Sequence, residues 1–222
     1  MTSSTGTFDA VLFDFDLTLA DSTAGVTACA NHALLELGFE PADVQTVRKT
    51  IGLSLHESCR ALTGNADVTL AQAYIRHFVE HADEVMEPLT KMFDDVPATL
   101  ESLRGRGLRL AIVSTKFRYR IEGILKRAGL AGAVDVIVGG EDVTHHKPHP
   151  EGLLRALREL KTEVSRAVYI GDHPVDARAA AASNLRFIAV LTGASTADDF
   201  LEPVPFGIAP HLSGAVRLLD TL

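Results

Sequence analysis

Residues 11–22, VLFDFDLTLADS, decide how the rest of the chain is read. Val11, Leu12, Phe13 and Phe15, with Phe8 and Ala10 before them, form the apolar run of a buried β-strand. Asp14 and Asp16 are set into its end. Side chains repeat every two residues in extended backbone, so both carboxylates leave the strand on the same side. Two such charges about 4 Å apart repel by roughly 4 kcal/mol at an effective dielectric near 20. A metal ion, a shared proton or nearby cations would offset that cost. The plainer alternative is a solvated strand end whose acids cap the next turn, and other parts of the chain must decide.

Working outward, short apolar runs recur at FDAVLFDF (8–15), LRLAIVS (108–114), VDVIVGG (134–140), AVYIGD (167–172) and RFIAVLT (186–192), with a weaker one at FGIA (206–209). Helical spacing fills the gaps near 95–105, 117–128, 150–161, 175–183 and 211–221. Continuous apolar strands alternating with helices predict an α/β fold: a Rossmann-like parallel sheet covered by helices on both faces. Residues 20–92 break the rhythm with helical stripes such as Val26, Cys29, Ala33 and Leu37, and Leu70, Tyr74 and Phe78. That insertion is far longer than a crossover needs. It predicts a helical cap subdomain at 20–92, on linkers near 20–23 and 88–94, inserted into a core of 1–19 and 93–222.

The chain has 222 residues, 46% of them hydrophobic and 23% charged, which suits a globular enzyme. A net charge of −8 argues against nucleic-acid or anionic-membrane partners but leaves an anionic substrate possible, because a site field is local. Cys29 and Cys59 show neither disulfide nor metal spacing and are expected as reduced core thiols. MTSSTGTFDA (1–10) lacks the basic and apolar regions of a secretory signal, and no run approaches membrane-span length, so a cytoplasmic location is expected.

Ligands of open parallel sheets bind beyond the strands' carboxyl ends. The first strand ends in Asp14 and Asp16, the second in VSTK (113–116), and the third is followed by GGEDVTHHKPHP with Lys147. The fourth ends in GDHPVD, which supplies Asp172 and Asp176. In this order DFDLT, VST, HHKPHP and GDHPVD resemble the motifs of the haloacid dehalogenase-like superfamily, across essentially the whole chain. IGLSL and ALTG in the insertion and KPHPEGLL after it resemble the phosphoglycolate phosphatase-like subgroup.

The resemblance implies a phosphoric monoester hydrolase acting on a small phosphorylated metabolite, phosphoglycolate being the first guess, through an aspartyl-phosphate. Asp14 would be the nucleophile, Asp16 the general acid and then base, and Lys147 the neutralising cation. Ser114 and Thr115, with Lys147, would hold the phosphate. Asp14, Asp172 and the main-chain carbonyl of Asp16 would ligate Mg²⁺, the usual hard cation at phosphoryl sites. Asp176 would orient Lys147 or a metal-bound water. Candidate specificity residues lie at 50–58, TIGLSLHES. A pyrophosphatase or a sugar-phosphate mutase would use the same chemistry, although Leu17 and Thr18 replace the Gly-Val usual in such mutases. A non-enzymatic phospho-accepting domain is disfavoured by Asp16 and the cap.

Leu17 stands where the subgroup commonly has glycine, Thr115 where Asn is common, and His173 where Ser, Thr or Asn is common. Other residues carry plainer expectations. Thr18 is expected to cap a turn, Arg118 and Arg120 to be solvated, and His145, His146 and His149 to form a solvated loop rather than a transition-metal site. The apolar cap stripes could pack internally or against a second copy, so monomer and homodimer both stay open.

Overall fold

The structure, a computed structural model, describes residues 8–221; the signal-peptide expectation falls largely outside them. In chain order the elements are β1 (Ala10–Phe13), β2 (Ala20–Asp21), α1 (Thr23–Glu36), α2 (Val44–Arg48), α3 (Leu55–Thr63), α4 (Val68–Leu89), β3 (Lys91–Met92), α5 (Val96–Gly105), β4 (Arg109–Val113), α6 (Arg118–Arg127), β5 (Val136–Val138), α7 (Glu151–Leu160), β6 (Ala167–Gly171), α8 (Pro174–Ala182), β7 (Arg186–Val190), β8 (Gly207–Ala209) and α9 (Leu212–Leu218). Six strands form one sheet in the order β5-β4-β1-β6-β7-β8, and every pairing is parallel. The Rossmann-like expectation holds.

The alternation of side chains along each strand divides the core into two. Val11, Phe13, Ile112, Val168 and Ile170 pack on one face with residues of α5, α6 and α9. Leu12, Ala111, Val113 and Tyr169 pack on the other with residues of α7 and α8. Both faces being covered explains why the strands are apolar throughout rather than alternating. The chain moves outward from β1 through β4 to β5, then returns to β6 and proceeds to β7 and β8 in the opposite direction. The carboxyl ends of β1, β4 and β6 therefore meet at the switch point of the sheet, where open α/β sheets bind ligands.

Helices α1–α4 have an apolar core of their own, including Cys29, Leu34, Val47, Cys59, Tyr74, Phe78 and Met86. Both cysteines are free and buried, and burial pushes the Cys29 thiol up to about 12. Asp43, Ser54 and Asp67 cap the starts of α2, α3 and α4, and Gly64 ends α3 in left-handed backbone. The sequence shows no strand in this insertion, yet β2 and β3 pair antiparallel at its two ends. Two-residue strands carry too little periodicity to be read from a sequence. No helix among the described residues is long and apolar enough to cross a membrane.

Candidate active site

Asp14 follows β1, Ser114 follows β4 and Asp172 follows β6, so neighbouring strands deliver all three to one end of the sheet. Lys147 arrives on the loop before α7, buried, with its ammonium 3.0 Å from Asp14 Oδ1 and 2.6 Å from Asp176 Oδ1. Asp176, in the first turn of α8, accepts from Lys147, from the Tyr169 hydroxyl at 2.9 Å and from the His173 backbone N–H at 3.1 Å. The Lys147 ammonium also donates to the Tyr169 hydroxyl at 3.1 Å. This network fixes where the ammonium sits relative to Asp14.

Glycine is required beside that network for space. A Cβ on Gly171 would lie 2.6 Å from Asp176 Oδ2, and one on Gly193 would lie 2.0 Å from Asp172 Oδ2. The first of these gives a physical reason for glycine directly before Asp172 in GDHPVD. Leu17, where glycine is the more usual residue, takes φ 60° and is buried. His173 caps α8, its Nδ1 accepting from the Val175 N–H at 3.1 Å, and burial lowers its basicity.

Three residues differ from their sequence expectations. Thr18 does not spend its hydroxyl on a turn: it donates to Asp172 Oδ1 at 2.8 Å across 154 residues of chain. Arg120 is buried rather than solvated, and its guanidinium bonds Asp83 and the Val79 carbonyl of α4. Arg118 is half-buried, paired with Asp142 at 2.6 Å. In each case the partner is far away in sequence, so periodicity carried no sign of it.

Lys116 was missed as a site residue. It is buried with its ammonium 3.2 Å from Asp16 Oδ1, so two ammonium groups, not one, face the four carboxylates. The available signal was its spacing of two from Ser114, which sends both side chains the same way at an extended strand end. Ser114 is buried, and its hydroxyl accepts from the Lys116 N–H at 3.3 Å. Thr115 is half-buried beside a cavity that adjoins Asp16. His145 and His149 lie exposed, as expected. Each Nδ1 is engaged with Glu151 at the start of α7, at 3.0 Å from its carboxylate and 3.3 Å from its N–H respectively.

For the protein alone, burial, aided by Asp176 and Asp16 and opposed by Lys147, pushes Asp14 up to about 7. Burial, Asp176 and Asp14 likewise raise Asp172 well above the usual carboxylate range. Against the pull of burial, Asp14 and Asp176 raise Lys147. Carboxylates of this kind are one cation short. Oxygens of Asp14, Asp172 and Asp176 lie within 4.8 Å of one another, all buried. Both Asp14 side-chain oxygens and Asp16 Oδ1 are buried and accept no hydrogen bond among the described residues, with an ammonium as the nearest charge to Asp14 Oδ1 and to Asp16 Oδ1. An all-oxygen set with orphaned carboxylate atoms fits a hard divalent cation.

The family model of haloacid dehalogenase-like hydrolases matches residues 11–190. The chain is 30% identical over 204 residues to the phosphoglycolate phosphatase of Colwellia psychrerythraea, covering 89% of this chain and 90% of that one. It is 32% identical over 169 residues to the phosphoglycolate phosphatase of Aquifex aeolicus, covering 76% and 78%. Among solved structures, one described as a haloacid dehalogenase-like hydrolase from Bacteroides fragilis superposes with a TM-score of 0.90 at 40% identity, over 92% of this chain and 98% of that one. The chain therefore belongs to the haloacid dehalogenase-like hydrolase family, where it stands with the phosphatases of the phosphoglycolate phosphatase-like subgroup.

Proposed function

We propose that this enzyme hydrolyses a small phosphomonoester in two steps through a phosphate ester of Asp14, with Mg²⁺ as cofactor. The carrying observation is the buried Asp14 carboxylate, unpartnered except for the Lys147 ammonium at 3.0 Å. In the first step an Asp14 oxygen bonds to phosphorus as the bond to the leaving oxygen breaks, and Asp16 gives that oxygen its proton. In the second, Asp16 takes a proton from water as the water oxygen bonds to phosphorus. The Asp14–phosphate bond breaks as that bond forms, which releases phosphate, frees the Asp14 carboxylate and leaves Asp16 protonated for the next turnover. Lys116, 3.2 Å from Asp16, holds that side chain on the leaving-group side.

Lys147 neutralises charge on Asp14 and on the transferred group, while Ser114 and Thr115 offer hydroxyls to its oxygens. Asp14 and Asp172 would hold Mg²⁺ with their carboxylates, and Asp16 with its main-chain carbonyl. Thr18 steadies Asp172 from behind, at 2.8 Å. The oxygens of Asp176 are taken up by Lys147, Tyr169 and His173, which suits a supporting role for it rather than ligation. Bound there, the cation offsets carboxylate charge that would otherwise repel an anionic phosphate.

Residues 20–92 act as a cap on the β2–β3 linkers, closing over the sheet to exclude water. Phosphoglycolate, named for the relatives, is the reference substrate. The test is release of phosphate from acetyl phosphate, a probe with almost no leaving-group bulk. Turnover that requires Mg²⁺ and falls at least about a thousandfold in Asp14→Asn supports the reading. Undiminished turnover in the variant, or with divalent metal stripped away, overturns it.

A further inference from the structure

Resting on that phosphatase reading, the cavity beside Asp16 specifies the kind of alcohol that leaves. It measures about 270 Å³ and lies between the α1–α4 layer and the β4–α6 loop. Asp16, Thr115 and Lys116 border it, whereas Asp14, Lys147 and Asp172 do not. It thus extends from the proposed general acid away from the phosphoryl site, where the leaving group must lie. The 50–58 stretch supplies much of its wall.

That wall is apolar: Ile51, Leu53, Ile75, Phe78, Met86 and Phe117 line it. Its two fixed cations are already paired, Lys116 with Asp16 at 3.2 Å and Arg120 with Asp83 at 2.6 Å. Its hydroxyls are largely engaged as well. Thr50 donates to the Val47 carbonyl at 2.7 Å, Ser58 to the Thr50 carbonyl at 3.2 Å, and Ser54 to Glu57 at 2.8 Å. What remains is a pair of imidazoles at the exposed edge, His56 and His146, and the buried Tyr74 hydroxyl, which has no partner among the described residues. Partial burial of the ring lowers the basicity of His146.

A carboxylate on the leaving group would find Lys116 and Arg120 each already held by an aspartate, and burying a charge unpaired is costly. Size points the same way, since about 270 Å³ is the liquid volume of roughly nine water molecules. A two-carbon acid would leave most of the apolar wall wet, and a ring-sized apolar body would cover it. We propose that the enzyme prefers phosphomonoesters of uncharged alcohols with an apolar body, and that phosphoglycolate is a poor substrate for this chain.

The experiment compares kcat/KM of the wild-type holoenzyme with Mg²⁺ on benzyl phosphate and on phosphoglycolate, both esters of primary alcohols, with acetyl phosphate as reference. Benzyl phosphate is expected to lead by at least about tenfold, chiefly through a lower KM. Leu53→Arg, which adds an unpaired cation to a partly exposed wall position, should move the ratio toward phosphoglycolate by about tenfold. Equal values, a preference for phosphoglycolate, or acetyl phosphate turnover with neither ester accepted would overturn the inference and leave the phosphatase reading standing. Failure on all three compounds would overturn both.

Discussion

Leu17 shows how two residue-scale effects compete. At φ 60° it occupies left-handed backbone that costs an ordinary residue roughly 1–2 kcal/mol. Its side chain is 1% exposed, and removing a buried leucine side chain costs about 2–5 kcal/mol. Burial wins, so Leu17→Gly is expected to destabilise the fold by about 1–3 kcal/mol although it relieves the backbone. Chemical denaturation of the variant checks this, and a more stable variant would contradict it. Much of the site was visible at this scale. Asp14, Asp16, Ser114 and Asp172 stand at or just past strand ends, and Lys147 and Asp176 lie on the segments that follow β5 and β6, where sheet geometry directs chemistry. Thr18, Lys116, Tyr169 and Arg120 were not visible, because what defines each is a partner reached across the fold. Tyr169 lies mid-strand in an apolar run and differs from its neighbours only by a hydroxyl that meets Asp176.

At the scale of elements, α6 is tied to α4. Arg120 and Tyr119 both reach Asp83, and the Arg127 guanidinium donates to the Glu87 carbonyl at 2.8 Å. Arg120 also lies over the Phe117 ring at 5.1 Å, so its charge is spent on holding the two layers together as well as bordering the cavity. Asp83→Ala leaves a buried guanidinium without its carboxylate and should lower stability by about 1–3 kcal/mol. A denaturant midpoint equal to that of the wild type would argue against the tie. The central strands were legible because burial on both faces makes each a continuous apolar run, and the five flanking helices because of their helical spacing, whereas edge strand β8, with Ile208 exposed, reads weakly. The β2–β3 pair was not, since two residues give no period. Nor were the bonds that join α6 to α4, which run between residues about 40 apart in the chain and follow no local pattern.

At the scale of the whole molecule, burying Asp14 and Asp172 together couples folding, protons and metal. Asp14 titrates near 3.8 in ordinary surroundings and is pushed up to about 7 in the folded, cation-free protein. The folded state therefore holds a proton between those values that the unfolded chain has released, and its stability falls as pH rises through that window. A divalent cation competes with that proton. Mg²⁺ is thus expected to raise Tm more at pH 8 than at pH 5.5, and its binding at pH 6 should release protons, measurable by calorimetry in buffers of different ionisation enthalpy. Equal shifts at both pH values would contradict the coupling.

The central claim is that phosphate passes through Asp14. The most direct test is to quench the enzyme in acid during turnover of labelled acetyl phosphate, then map the label by peptide mass spectrometry. The account predicts base-labile phosphate on the peptide carrying Asp14, absent from Asp14→Asn. Phosphate release at full rate with no label on that peptide would contradict it.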